Sequence, residues 1–277
     1  ILGSDETLRK LVSDELAAVS EFFGEARRTK FLQAGIEPKA LSSAQAISMN
    51  AELADSPCLI GLTATGRILR VDEIADLGAT LMRQIIATTT RSDLGVVTSD
   101  GRVLRVHAAD VPLASVSSAS PTMDEFIGAS GPLISVGLID LSSPEPFALG
   151  TSQGVVKRVN ADYPKSDEFE VIKLRPADRV VGISYASDQA DLVFITLGAQ
   201  ILRFSAATVR PQGRLGSGVT GISLSQGDSV IWFGAVIEPD QANVCTIANS
   251  SASLAGTDPG SYKVTPMRDV PKKGRAT

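Results

Sequence analysis

The chain has 277 residues, 43% of them hydrophobic, with 24 Gly, 14 Pro, one His, two Cys and a formal net charge of −5. That apolar fraction supports a real core in one large or two ordinary domains, and the Gly and Pro imply many turns. The two distant cysteines, Cys58 and Cys245, argue against a disulfide framework and for free thiols in a reducing compartment; no apolar run spans a membrane, and net acidity excludes a general polyanion sponge.

A chain that opens on Ile1 is expected to be a piece of a longer one. Ser4 to Phe23 predicts a helix. Ser4 is a candidate N-cap, Asp5 and Glu6 suit the first turn, and Leu8, Leu11, Val12, Leu16, Val19 and Phe23 form one apolar stripe. Gly24 is a stop signal, and Arg27, Arg28 and Lys30 follow as a solvated basic cluster. Residues 32–56, with Gly35, Pro38, Ser42 and Ser43, read as a linker.

From residue 57 the pattern is β. Five units repeat an apolar strand, a Gly turn and a strand ending on Arg or Lys: 62–71, 97–106, 150–159, 195–204 and 256–264. Their turn glycines are Gly66, Gly101, Gly154, Gly198 and Gly260. The uneven spacing is centred near the roughly 40–50 residues of a four-stranded propeller-type blade. Further alternating segments at 78–88, 131–140, 169–184 and 218–233 supply a connecting strand to each blade. Prolines 112, 164, 211, 266 and 271 mark the connectors. Residues 113–130, rich in Ser and Ala, are expected to form a mobile loop.

A basic, glycine-rich turn, 210–218, leads into a short strand carrying Val219, Ile222 and Leu224, and a partial second copy stands at 268–277. The hairpins contribute Arg67, Arg70, Arg102, Arg105, Lys157, Arg158, Arg203 and Lys263. The two glycine turns add Arg210, Arg214, Arg268, Lys272, Lys273 and Arg275. In a disc of blades, equivalent positions share one rim, so repeated cations predict a basic band of the kind that tracks a DNA backbone. The bland alternative is that they are ordinary strand-end charges that protect edges.

Catalytic and metal chemistry find no support. His107 has no Cys or His neighbours, GRLGSG at 213–218 lacks the GK[ST] ending of a phosphate loop, and no GxSxG elbow occurs. Tyr185, Phe204, Trp232 and Phe233 sit in alternating strands and read as core.

The repeated TxxGxxxR hairpin, the connector RPQGRLGSGVTGISLSQGDSV, the closing KVTPMRDVPKKGRAT and the helix ending DELAAVSEFFGEARRT (14–29) together resemble the C-terminal domain of the A subunit of bacterial type IIA topoisomerases, gyrase and topoisomerase IV, over nearly the whole chain. The resemblance implies a mainly β fold, a β-pinwheel: a propeller-like disc of five or six four-stranded blades with strands exchanged between neighbours, preceded by a short helical segment. It divides the chain into 1–31, the end of a helical breakage-reunion region; 32–56, a linker; and 57–277, a pinwheel that binds and bends duplex DNA. It implies a DNA topoisomerase as parent complex, its partners being the catalytic core of the same subunit, plus an ATPase B subunit. The cleavage site, ATP and Mg then belong to other parts of that complex, with no cofactor here, no membrane, and a cytoplasmic, nucleoid-associated location. Gyrase carries a basic glycine box after its first hairpin. The matching stretch here, 71–84, has Asp72, Glu73 and Asp76 instead, which favours topoisomerase IV over supercoiling. Tyr163, Tyr185 and Tyr262 lack the preceding arginine of the family's catalytic tyrosine. A protein-binding propeller without DNA is the competing reading.

Overall fold

A computed structural model describes residues 5–23, 55–77, 81–113, 120–128, 134–248 and 261–277. The chain divides into two compact units, Ile1–Met49 and Asn50–Thr277. In the first, helix α1 (Asp5–Phe23) forms as its periodicity predicts, with Leu11, Val12, Leu16 and Val19 exposed. Almost all of the 32–56 stretch, the Arg27–Lys30 cluster and the Ser4 cap lie outside the described residues.

The second unit is built from five antiparallel hairpins. Blade 1 holds β1 (Pro57–Thr63), β2 (Ile68–Val71) and β3 (Met82–Thr89). Blade 2 holds β4 (Asp93–Thr98), β5 (Arg102–His107) and β6 (Ser135–Asp140). Blade 3 holds β7 (Phe147–Thr151) and β8 (Val155–Val159); after the short β9 (Glu168–Glu170) comes its third strand, β10 (Val180–Tyr185). Blade 4 holds β11 (Asp191–Thr196) and β12 (Ile201–Ser205). Two short strands, β13 (Pro211–Gln212) and β14 (Val219–Thr220), precede its third, β15 (Val230–Val236). Blade 5 is the pair β16 (Asn243–Ala248) and β17 (Ser261–Pro266).

Each turn uses one device. A threonine carbonyl accepts the N–H of the residue three places on, and that residue is left-handed: Gly66, Gly101, Gly154 and Ala199, with φ of 78°, 82°, 80° and 60°. Glycine suits this position because it has no Cβ to clash. The fourth turn corrects the sequence reading: Ala199, not Gly198, takes the left-handed place, because Thr196 sets the register. The fifth hairpin differs too. β17 pairs with Asn243–Ala248, so its two strands are separated by 249–260, which lies outside the described residues.

Each of blades 1 to 4 borrows its outer pairing from the connector that follows the next hairpin. Leu113 and Thr122 bridge to Arg70 and Arg67 of blade 1, and β9 pairs with β5 of blade 2. β13 and β14 both pair with β8 of blade 3, and Lys272 bridges to Arg203 of blade 4. This exchange covers N–H and C=O groups that an edge strand would leave bare. It also corrects the expected loop at 113–130. Met123–Phe126 is a capped helical turn, α2, with Thr122 and Glu125 forming a capping box and Met123 buried under blade 1.

Apolar clusters fill the blade interfaces in series. One joins Ile60 and Leu62 to Leu94 and Val96, the next Val97 and Val103 to Phe147 and Leu149. A third joins Val156 to Phe194, Phe204 and Phe233, and a fourth Val193 and Ile195 to Val244 and Met267. Strands of the middle blades are buried on both faces: all six residues of β11 are buried. Blades 3 and 4 close tightly because Gly182 leaves room for the backbone of β15; a Cβ there would lie 2.2 Å from the Phe233 carbonyl oxygen. Phe204 and Phe233 are core as expected, whereas Trp232 is 43% exposed, lying over Gly234.

Candidate nucleic-acid interface

The repeated arginine near the end of hairpins 1 to 4 is a strut between blades. Arg70 Nη1 donates to the carbonyls of Ala108 and Ala109 (3.2 and 3.0 Å), in the 3-10 turn that ends hairpin 2. Arg158 donates to Ala206 and Val209 (3.2 and 3.1 Å), around the turn that ends hairpin 4, and also to Ala186 at 2.8 Å. Arg203 donates to Met267 at 2.7 Å, in the turn that ends hairpin 5, and pairs with buried Asp191. Arg105 follows the same logic through a different partner, reaching Pro164 O at 2.6 Å and Asp93 at 2.7 Å. A guanidinium suits this place because it offers five N–H donors in a fixed fork and stays charged.

Lys157 is buried as well. Its ammonium donates to the carbonyls of Val171, Arg214 and Gly216 at 2.7, 2.6 and 2.8 Å. Burial pushes its pKa down to about 8, so it is still largely charged at neutral pH. The expectation of a rim band made of hairpin cations is therefore corrected for Lys157 and Arg158, which are interior, and for Arg70, Arg105 and Arg203, whose side chains are spent on the next blade.

The rim is made by the connectors. In the 171–179 connector, Val171 N–H donates to Gly101 O in the turn of hairpin 2. Asp178 then takes Thr151 Oγ1, Ser152 Oγ and Gln153 N in the turn of hairpin 3. The 221–229 connector repeats this one blade on. Gly221 N–H reaches Gly154 O, and Asp228 accepts from Gly198 N and Ser229 N, hydrogen bonds that with Thr196 hold its carboxyl below the usual range. The correspondence is visible in the sequence as Ile-x-Leu-x-x-x-Asp-x-Val at 172–180 and 222–230, where 222 − 172 = 228 − 178 = 50. The sequence reading missed the cations this places outside: Lys173, Arg175 and Arg179 are all exposed.

Consecutive connectors touch. Lys173 N–H donates to Gly216 O, and Arg275 Nη1 to Thr220 O, while Ala276 N–H reaches Gly221 O. The connectors that carry Lys173 and Arg175, Arg210 and Arg214, and the cations of 272–275 are therefore hydrogen-bonded in series along blades 3 and 4. Arg210 and Lys273 are exposed, Arg214 is half-buried, and none forms an ion pair with a described residue; Lys272 is held by Asp191 at 2.6 Å. The remaining predicted cations are partly neutralised or isolated. Arg102 pairs with Asp100 and Glu168, Arg67 donates to Ser120 O, Arg268 lies 3.9 Å from Asp269, and Lys263 is exposed on blade 5. Asp72 and Glu73, after hairpin 1, are exposed.

Among the described residues no cluster of three or more His, Cys, Asp or Glu could hold a metal ion, and no helix is long and apolar enough to cross a membrane. His107 Nδ1 is bound to Asp93 at 2.6 Å. Cys58 is buried and Cys245 exposed, both as free thiols.

Five hairpins joined by lent strands make the second unit a β-pinwheel, a strand-exchanged relative of the propeller. Comparison with known proteins agrees. The family described as "DNA gyrase C-terminal domain, beta-propeller" matches residues 94–115 and 190–236. Over 97% of the chain, the sequence is 26% identical to the DNA gyrase A subunit of Staphylococcus epidermidis and 28% identical to that of Staphylococcus aureus. The chain spans 31% of the length of these relatives. Among solved structures, the C-terminal domain of DNA topoisomerase IV superposes with a TM-score of 0.64 at 18% identity, covering 81% of this chain and 72% of that one. The E. coli ParC C-terminal domain gives 0.55 at 14% identity, covering 80% and 91%. The chain is thus similar in sequence to gyrase A subunits and shares the fold of the topoisomerase IV C-terminal domain.

Proposed function

We propose that residues 57–277 bind and bend duplex DNA as the C-terminal domain of the A subunit of a type IIA topoisomerase, with 1–31 the end of the helical region and 32–56 the linker. The observation that carries this reading is the hydrogen-bonded series of connectors on blades 3 and 4 that bears Lys173, Arg214 and Arg275, on a chain whose net charge is −5. Cations on a convex rim neutralise phosphates with little base reading, and the added contacts offset a DNA bending cost of order 1–6 kcal/mol for a short site. The domain itself needs no cofactor. Strand passage, ATP hydrolysis and Mg belong in this reading to the catalytic core and the B subunit, in a cytoplasmic, nucleoid-associated complex.

Within that class we favour a topoisomerase IV role in relaxation and decatenation over gyrase-type wrapping. The described part of the connector after hairpin 1 exposes the acidic Asp72 where a wrapping surface needs cations. Two measurements test this. The double variant Arg210→Ala/Arg214→Ala should weaken binding to all duplexes alike and shallow the log–log salt slope by up to about 1.8, at roughly 0.9 for each phosphate no longer neutralised; unchanged affinity and slope would sink the DNA reading. Nicked plasmid ligated on the bound domain should show no salt-sensitive change in linking number; a clear shift would return the assignment to chiral wrapping.

A further inference from the structure

We propose that Lys157, which no ligand can reach, is a positioning residue for DNA: its ammonium fixes the glycine-rich loop that presents Arg214. This rests on the DNA-bending reading above. The loop leaves blade 3 at β13, which runs parallel to β8 at Arg158 and Val159, and returns at β14, antiparallel at Val156 and Val155. Its two ends thus straddle Lys157. Between them the loop turns on itself, Gly216 N–H to Gly213 O at 3.2 Å, and aims the Arg214 and Gly216 carbonyls inward at the ammonium. The third acceptor, Val171 O, belongs to the neighbouring connector, so one cation locks two rim connectors together.

The chemistry of the pocket requires a cation of this kind. Three carbonyl oxygens converge on one point, and an ammonium has three donors and no acceptor. The closing glycine, Gly218, is left-handed at φ 74°, and a Cβ there would lie 2.7 Å from Val156 O, so only glycine lets the loop return to β8 beside Lys157. Outside, Leu215 and Arg210 are exposed and Arg214 is half-buried. A buried charge whose hydrogen bonds go only to backbone carbonyls therefore determines where the half-buried Arg214 stands.

The test compares Lys157→Met, Arg214→Ala and the double variant of the whole chain, each checked for folding by thermal melting. Binding to a labelled duplex is measured over a salt series. Both single variants should lose about 0.9 from the salt slope, and the double should lose no more than either single. Wild-type affinity and slope in folded Lys157→Met, or losses that add in the double, would overturn the proposal. If Lys157→Met does not fold, the wild-type chain still decides. Its Lys157 Nζ proton resonance should be protected from exchange and should shift on titration with duplex; a resonance indifferent to DNA overturns the proposal. A wild-type chain that binds no duplex at low salt removes the DNA reading first, and this proposal with it.

Discussion

Replacing Arg158 with Met should cost the β unit about 4 kcal/mol and leave the salt dependence of DNA binding untouched. The guanidinium is 2% exposed and donates to Asp188, Ala206, Val209 and Ala186. Methionine fills much of the volume but donates nothing. Asp188, whose side chain is 75% exposed, returns to water at little cost, and Ala206 O keeps the Val209 N–H at 2.9 Å. That leaves the Val209 and Ala186 carbonyls short of a donor, at roughly 1–3 kcal/mol each, or about 4 kcal/mol together. For a unit of this size the melting temperature should fall by roughly 8–16 °C. Urea unfolding followed by circular dichroism gives the stability, and fluorescence anisotropy with a labelled duplex gives the salt slope. If Arg158 were instead a rim cation, the urea midpoint would hold and the slope would shallow by about 0.9. That result would refute the strut argument for the whole repeat.

Two further outcomes follow from single residues. Ala199→Gly should stabilise the β unit by about 0.5–1 kcal/mol, because it removes a left-handed alanine that costs roughly 1–2 kcal/mol and gives back part of the gain as glycine entropy; an unchanged or lower urea midpoint contradicts this. Tyr185 accepts the Asp140 N–H at 2.6 Å, and burial pushes its phenol up to about 12. The folded state therefore holds a proton that the unfolded chain releases near pH 10. Stability from this group is complete below about pH 10 and lost as pH rises through about 12. Tyr185→Phe should be less stable at neutral pH by about 1–2 kcal/mol but lose less on going from pH 9 to 11, as read by urea titration at each pH.

Local chemistry alone determined much of this protein. The Thr-x-x-Gly turns, the alternation of the flanking strands and the amphipathic pattern of Asp5–Phe23 are short-range signals, each readable within about one turn or hairpin. They give the first four hairpins, a radial repeat and the resemblance to a pinwheel. The tertiary structure decided what the repeated cations do. Arg102 and Arg105 look alike in the sequence, yet one is exposed beside Glu168 and the other reaches the Pro164 carbonyl 59 residues on. The same holds for Lys157 and Lys273, one enclosed by three carbonyls and one open to solvent. Whether a charge faces a phosphate or a neighbouring blade depends on which connector is lent to which strand. Hydrogen bonds between segments far apart in the chain, 57 residues for Lys157 to Arg214 and 64 for Arg203 to Met267, fix that choice, and no local periodicity records it.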